Sequence, residues 1–508
     1  MHTHPSFINN WTLADFQTIR PAFDPDPVWA FNEFADAEFN DRRLTSRLQF
    51  IARHFVRQPL ASIPQACGNW TNSKAAYRFC SNDKVSFDAI LASHSVRTIE
   101  RLGLSQSPVI LCPQDTTMLN YIAHPATQGL GNVGTKPGKS LGLLLHSTLA
   151  LSSQGDSFGL LHAHCWARPQ RKQLRRVGLR NDNKAISEKE TFRWLQGFRH
   201  VEQLAISYPD HQWVSVNDRE GDIYEVLQAA TAPGHRAGLL VRARHDRSLL
   251  DQRGKTLFKY LRQLPEGGTY TVRVPRRENQ PAREATLSVR FAPVRFSAPR
   301  HLKGQPPLSL WAVWAQEIAP PDGQQPIRWC LLTTVPVRTL AEAVERIQWY
   351  VKRWTIEEFH RVLKSGCQVE ARQLTTRARL QRALAIDMVV AWRIMDLNKA
   401  ARLQPEASAD QWLSTAEWQA LYCYAHRTAQ APQKAPTIEQ AVRWIAQLGG
   451  FLARKGDGHP GPMTVWRGLQ RLQDIVTSWQ AFGPNRRPAL QRTKRSKPRR
   501  KKTSKRCG

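Results

Sequence analysis

A chain of 508 residues is too long for one ordinary domain and suggests about three. Its 73 Lys and Arg exceed 41 Asp and Glu, a net charge of +32, so a polyanionic partner is the first expectation, while 41% hydrophobic residues suffice for sizeable cores. The opening MHTHPSFINN lacks a basic, apolar signal segment and no run of 18 apolar residues occurs, so export and membrane insertion are not expected.

Eight cysteines (Cys67, Cys80, Cys112, Cys165, Cys330, Cys367, Cys423, Cys507) form neither CxxC pairs nor a regular framework, and read as reduced thiols. His162, His164 and Cys165 in HAHC read as strand residues rather than zinc ligands.

Residues 1–105 read as a small helical domain. Val28 to Leu60 carries Trp29, Phe31, Phe34, Phe39, Leu44, Leu48, Ile51 and Phe55 at helical spacing, interrupted by Pro59 and Pro64. A second helix lies in NWTNSKAAYRF, capped by Asn69 or Thr71, and a third spans Phe87 to Leu102. Arg42, Arg43, Arg47, Arg53, Arg57, Lys74 and Arg78 supply phosphate contacts or simply a solvated basic face.

From 106 the period changes to that of strands, predicted at Pro108 to Cys112, Leu141 to Leu151, Phe158 to Trp166 and Gln212 to Val216, with a helix near Ser187 to Leu204. GLGNVGTKPG (129–138) lacks the Walker lysine arrangement and reads as a hairpin-like connection. Three successive strands followed by alternating helix and strand predict an α/β fold with an RNase H-like core over 106–398. Asp115 and Asp218 each follow an apolar run, where a carboxylate is held rigidly yet faces a site. Either aspartate alone also suits a turn cap, and Glu220 and Asp222 suit capping or orienting roles.

Residues at about 232–325, beginning with LLVRARHDRSL, alternate apolar and polar and are broken by Pro and Gly, as a β-rich insertion would be. Its arginines, Arg242, Arg244, Arg247, Arg273, Arg276, Arg277, Arg290 and Arg295 among them, make either a DNA platform or a solvated surface.

A strand at Ile327 to Thr334 carries Trp329 and leads into one long amphipathic helix from Leu340 to Cys367. At 100° per residue Tyr350, Arg353, Glu357 and Lys364 fall within about 60° on one face, with Val351, Ile356, Phe359, Val362 and Leu363 opposite. Arg353 and Glu357 also suit an ordinary i,i+4 ion pair. Two strand-associated aspartates and a helix glutamate make a candidate acidic triad for one or two Mg²⁺ ions, with Mn²⁺ able to substitute.

Residues 399–484 read as a helical C-terminal domain, whose Trp418, Leu421, Trp444, Ile445, Leu448, Trp466, Leu469, Leu472 and Ile475 suit an interface or a local core. The tail 485–508 has 12 Lys and Arg and no acids, and is expected to be disordered until it meets a polyanion.

These motifs resemble one family, the bacterial DD-E cut-and-paste insertion-sequence transposases. Tyr350-x2-Arg353-x3-Glu357-x6-Lys364 is similar to the family's Y-R-E-K signature in residue type and spacing; QDTT around Asp115 and NDRE around Asp218 resemble its two aspartate motifs. The resemblance implies a metal-dependent transposase with Asp115, Asp218 and Glu357 as catalytic and metal-binding residues. It implies DNA contacts from Trp329 (stacking a flipped base), Tyr350, Arg353, His360, Arg361 and Lys364. It further implies nicking, hairpin formation, hairpin opening and 3′-hydroxyl strand transfer. Inverted-repeat ends and target DNA are the implied partners, with the C-terminal helices joining a homodimer in a bacterial cytoplasm, nucleoid-associated when on DNA. An inactive end-binding inhibitor of transposition and a metal-dependent nuclease without strand transfer are the alternatives.

Overall fold

The computed structural model describes residues 28–134, 140–169, 185–252, 254–274, 283–299, 302 and 304–482. The opening segment, part of the 129–138 connection, Arg276, Arg277 and the basic tail lie outside the described residues.

The N-terminal region is helical: α1 Val28–Glu33, α2 Arg42–Arg57, α3 Ile63–Cys67, α4 Trp70–Cys80 and α5 Phe87–Gly103. The predicted stretch from Val28 breaks at Asn40, whose φ is 55°, and restarts where the Asp41 carboxylate accepts from the Arg43 amide at 3.0 Å. Asn69, not Thr71, caps α4, accepting from the Asn72 amide at 2.9 Å. Leu48, Ile51, Ala52 and Phe55 form the buried stripe of α2.

Three antiparallel strands follow, β1 Val109–Asn120, β3 Leu141–Ser152 and β4 Ser157–Trp166, with the short β2 Gly131–Asn132 against the start of β3. Helix α6 Phe192–Ser207 leads to β5 Gln212–Asn217, and α7 Tyr224–Ala230 leads to β6 Gly238–Arg242. β5 runs parallel to β1, and β6 parallel to β5. The spatial order β4-β3-β1-β5-β6, three antiparallel strands and then two parallel ones reached through helices, is the RNase H-like arrangement.

Gly238–Arg242 was expected inside the insertion; it is the last parallel strand of the core instead. Its apolar residues Leu239, Leu240 and Val241 are all buried, which a one-sided antiparallel strand would not require. Beyond it come α8 Leu257–Gln263 and β7 Gly268–Val274, β8 Arg283–Phe296, β9 Leu308–Glu317 and β10 Arg328–Thr333. β10 pairs antiparallel with β6, and β9, β8 and β7 follow in turn, so the inserted strands extend the core sheet to ten strands among the described residues.

The expected single helix after β10 is two, α9 Leu340–Lys352 and α10 Trp354–Arg361, meeting at Arg353 and ending in a π-turn at Val362–Gly366. Thr339 and Glu342 start it with a reciprocal capping box. Ile356, Phe359, Val362 and Leu363 are buried as expected, but Val351 is 37% exposed and Tyr350 is buried. The buried face of α9 passes through Ala343, Arg346, Ile347 and Tyr350, which leaves Val351 about 100° away from Tyr350 around the axis.

Helix α11 Arg377–Leu403 is buried along most of its length and packs against α2, α4, α5 and β4. The expected junction at 398/399 falls inside this helix. α12 Thr415–His426, α13 Ile438–Leu448 and α14 Pro462–Phe482 complete the C-terminal region around their own apolar cluster, including Trp418, Leu421, Ile445, Val465 and Leu472. The seven described cysteines are free and buried. No helix among the described residues is long and apolar enough to cross a membrane.

Candidate active site

The pairing of β1 with β5 ends at Gln114 opposite Asn217, and the next residue on each strand is an aspartate. Asp115 and Asp218 thus leave that pairing side by side, at the C-terminal end of parallel strands where α/β sheets commonly place ligands. Asp115 is not where β1 itself ends: the strand continues to Asn120 along β3, with Asp115 opposite Ser147. One Asp218 oxygen caps the turn Arg219–Gly221, accepting from the Glu220 amide at 2.7 Å.

Glu357 reaches the same place from α10, which packs on β1 and β3. A cleft of ≈460 Å³ opens there, lined by Asp115, Thr116, Glu357, His360, Arg361 and Lys364 among others. Asp218 stands beside this lining, near enough that its charge acts on Asp115. Burial pushes the Asp115 carboxyl up to about 7; the Arg353 cation opposes this, and the Asp218 and Glu357 charges add to it.

Among the described residues no three His, Cys, Asp or Glu side chains already form a metal cage. The three acids are electrostatic neighbours, not a closed ligand set. Their chemistry nevertheless fits a hard divalent cation: all three offer carboxylate oxygens, and the Asp115 carboxyl is raised by burial and by the like charges that such a cation would offset.

Arg361 and Lys364 rim the cleft, and Arg353 stands behind Glu357. Arg353, largely buried, pairs with Glu357 as the spacing suggested, and its guanidinium carbon lies 5.8 Å from the Tyr350 ring centre. Trp329, on β10, meets Tyr350 edge-on at 5.8 Å and 63°, so the two aromatic residues of the sequence reading form one unit. The Lys364 ammonium stands 3.9 Å from Glu370, while Arg361 is 54% exposed. His360, expected at the DNA, lines the cleft but is largely withdrawn from solvent. It is buried beneath Asp115, with Nδ1 3.8 Å from the Asp115 carboxylate and Nε2 3.3 Å from the Ser147 hydroxyl. Burial, with Lys364 and Arg353 nearby, pushes its pKa down to about 3, so the ring is neutral.

The acids following Asp218 have separate duties. Asp222 is buried and accepts from the Arg244 amide at 2.7 Å, the His245 amide at 3.0 Å and the Arg247 guanidinium, tying down the loop after β6. Glu220 pairs with Arg193 at 2.8 Å. Glu370, absent from the sequence reading, lines the cleft and accepts from the Asn120 amide at 2.7 Å. Nothing in its sequence neighbourhood marked it, because its hydrogen-bond partner Asn120 lies 250 residues away along the chain. Thr116 was within the QDTT motif and could have been singled out there.

Three family models match the chain: a transposase DNA-binding domain over residues 26–85, a transposase DDE domain over 228–392, and a Tn5 transposase dimerisation domain over 389–481. In their light the fold is that of a DDE transposase, a divalent-metal-dependent enzyme that cleaves and joins DNA. The chain belongs to the Tn5-like insertion-sequence transposases, which bind DNA through the N-terminal region and dimerise through the C-terminal one. The DDE match includes Glu357 but begins after Asp115 and Asp218. Among solved structures, a piggyBac transposase synaptic complex with hairpin DNA aligns over 91% of this chain and 83% of its own, at 9% identity and a TM-score of 0.36, a likeness too slight to build on.

Proposed function

We propose that this transposase excises and inserts its element through Asp115, Asp218 and Glu357, as holders of Mg²⁺ or, in its place, Mn²⁺. The observation that carries the proposal is the joint charge effect at Asp115: two strands and a helix remote in sequence bring three carboxylates within electrostatic reach around one open cleft. Bound divalent ions supply Lewis acidity to the scissile phosphate and lower the pKa of an attacking water or hydroxyl.

The chain's own groups do the rest. Asp115 spans the two neighbours, Asp218 fixes one side through its rigid turn, and Glu357 is presented by α10 with its oxygen steered by Arg353. The neutral His360 supports Asp115 from below without adding charge. Arg353 and Tyr350 brace the DNA phosphate, Lys364 and Arg361 hold the backbone at the rim, and Trp329 stacks a base drawn from the duplex. The Trp329–Tyr350 packing supports that assignment by fixing the aromatic pair beside Arg353, the partner of Glu357.

Four phosphoryl transfers make up the reaction. Water cuts the transferred strand, leaving a 3′-hydroxyl; that hydroxyl attacks the opposite strand and expels flanking DNA as a hairpin closes. A second water opens the hairpin, and the regenerated 3′-hydroxyl attacks target DNA, displacing a target 3′-oxygen. The substrates are inverted-repeat ends held by a dimer, and the setting is the bacterial nucleoid.

Purified protein incubated with the DNA flanking its own gene and Mg²⁺, with products resolved under denaturing conditions and sequenced, tests the proposal. Hairpin-ended and target-joined products at paired terminal repeats are expected. Cleavage without joining would replace transposition by a nuclease activity, and end binding without cleavage would replace it by an inhibitory role.

A further inference from the structure

Arg193 sits in the first turn of α6, and every one of its guanidinium nitrogens is engaged. Nε donates to the Thr116 hydroxyl at 2.8 Å, Nη2 to Glu220 at 2.8 Å and Nη1 to the Glu190 carbonyl at 2.8 Å. Thr116 directly follows Asp115, and Glu220 is two residues beyond Asp218. One side chain therefore joins the two chain segments that carry the aspartates.

The anchorage of this guanidinium is itself rigid. Arg193 is 10% exposed, with Trp166 and Trp194 rings 5.6 and 5.9 Å from its guanidinium carbon. The Thr116 hydroxyl that it contacts also bonds the buried His146 ring at 2.9 Å, and that ring bonds Gln114 at 3.1 Å. Helix α6 is pressed onto β1 at Gly197, where a Cβ would stand 2.2 Å from the Gln114 amide oxygen, so the helix cannot slide without disturbing this chain of bonds.

We propose that Arg193 is a positioning residue that holds Asp115 and Asp218 at the separation a shared divalent ion requires. The role rests on the assignment of those two aspartates as metal ligands. The guanidinium touches neither carboxylate; it fixes Thr116 on β1 and the turn that begins at Asp218, and so sets the spacing of the acids through the backbone. Lysine has one nitrogen and cannot bridge both partners in the same geometry.

Titration of the full-length protein with Mn²⁺ alone, with free ion followed by electron paramagnetic resonance, separates this role from general stability. The parent is expected to show a site that Asp115→Asn abolishes. Arg193→Gln and Arg193→Lys are expected to weaken that site by about tenfold or more, the usual effect of removing a residue that orients metal ligands. Because Arg193 is packed between tryptophans, Glu220→Gln provides a variant on the exposed end of the link, 56% accessible. It is expected to weaken Mn²⁺ binding in the same direction while leaving the urea midpoint in EDTA unchanged. Parental Mn²⁺ affinity in folded Arg193→Lys and Glu220→Gln, with Asp115→Asn still defective, overturns the positioning role alone. Parental affinity in Asp115→Asn overturns the ligand assignment, and the role of Arg193 with it.

Discussion

Two carboxyls in this molecule, one buried and one half-buried, have opposite fates. Asp115 in the cleft is pushed up to about 7, whereas Glu33, where α1 meets α5, is held down near about 2. Burial raises both. At Glu33 it is overcome by His94, which shares a short hydrogen bond with one oxygen, and by Arg101 at 3.0 Å, itself stacked 4.1 Å over Trp392 of α11. At Asp115 the cation that opposes burial, Arg353, is already paired with Glu357, the adjacent His360 ring is neutral, and the Asp218 and Glu357 charges add to the effect of burial. A carboxylate paired on all sides ties the N-terminal helices to the rest of the chain; one left among like charges beside an open cleft is poised to receive a cation.

Substitution at each place should separate the two roles. The largest effect is expected from Asp115→Asn. Loss of several kcal/mol of transition-state stabilisation lowers cleavage by roughly a thousandfold or more, measured in single turnover, with no fall in urea midpoint. Glu33→Gln should do the reverse: it removes the carboxylate that His94 and Arg101 share and costs about 3 kcal/mol of stability, read from the urea midpoint, with cleavage per folded molecule retained.

The same pair predicts a pH dependence. Because the folded pKa of Glu33 is depressed below its ordinary value of 4.5 to about 2, its contribution is present above about 4.5 and is lost as pH falls through that window. Urea midpoints of parent and Glu33→Gln should therefore converge between about pH 4.5 and pH 2, and parallel curves would contradict the pairing.

Arg353→Lys keeps the charge and loses the planar fork that reaches Glu357. Misplacement of a catalytic group on this scale lowers the cleavage rate by about a hundredfold, with little change in DNA affinity. The smallest effect belongs to Arg361 on the exposed rim. Arg361→Ala should weaken DNA binding by removing about one phosphate contact, reducing the slope of log affinity against log salt by about 1.

The pattern of strands and helices made much of the core legible in the sequence: β3, β4, α6 and β5 fall within a few residues of their expected places, whereas β1 begins as expected but runs eight residues past Cys112 to Asn120. What the pattern could not carry was pairing. Asp115 was read as ending its strand because the apolar run stops there, yet Thr116 to Asn120 stay in the strand through β3; it is the β5 side that ends. Likewise LLVRAR alternates locally like an insertion strand, and only its parallel partner shows it to be the last strand of the core.

At the site, Glu357 and its Arg353 partner followed from helical spacing, whereas the burial of Tyr350 and His360 did not. A helical wheel gives directions around one axis and leaves out what packs on it, here Trp329 and Ser147. Arg193 had no sequence signal at all, being one arginine between Phe192 and Trp194 in a strongly basic chain.

The most direct test of the central assignment is single-turnover cleavage and joining of the element's own ends in Mg²⁺ by the parent and by Asp115→Asn, Asp218→Asn and Glu357→Gln. All three variants should lose both reactions while still retarding end DNA in a gel. Cleavage at the parental rate by any one of them would remove that residue from the metal-holding triad and contradict the account.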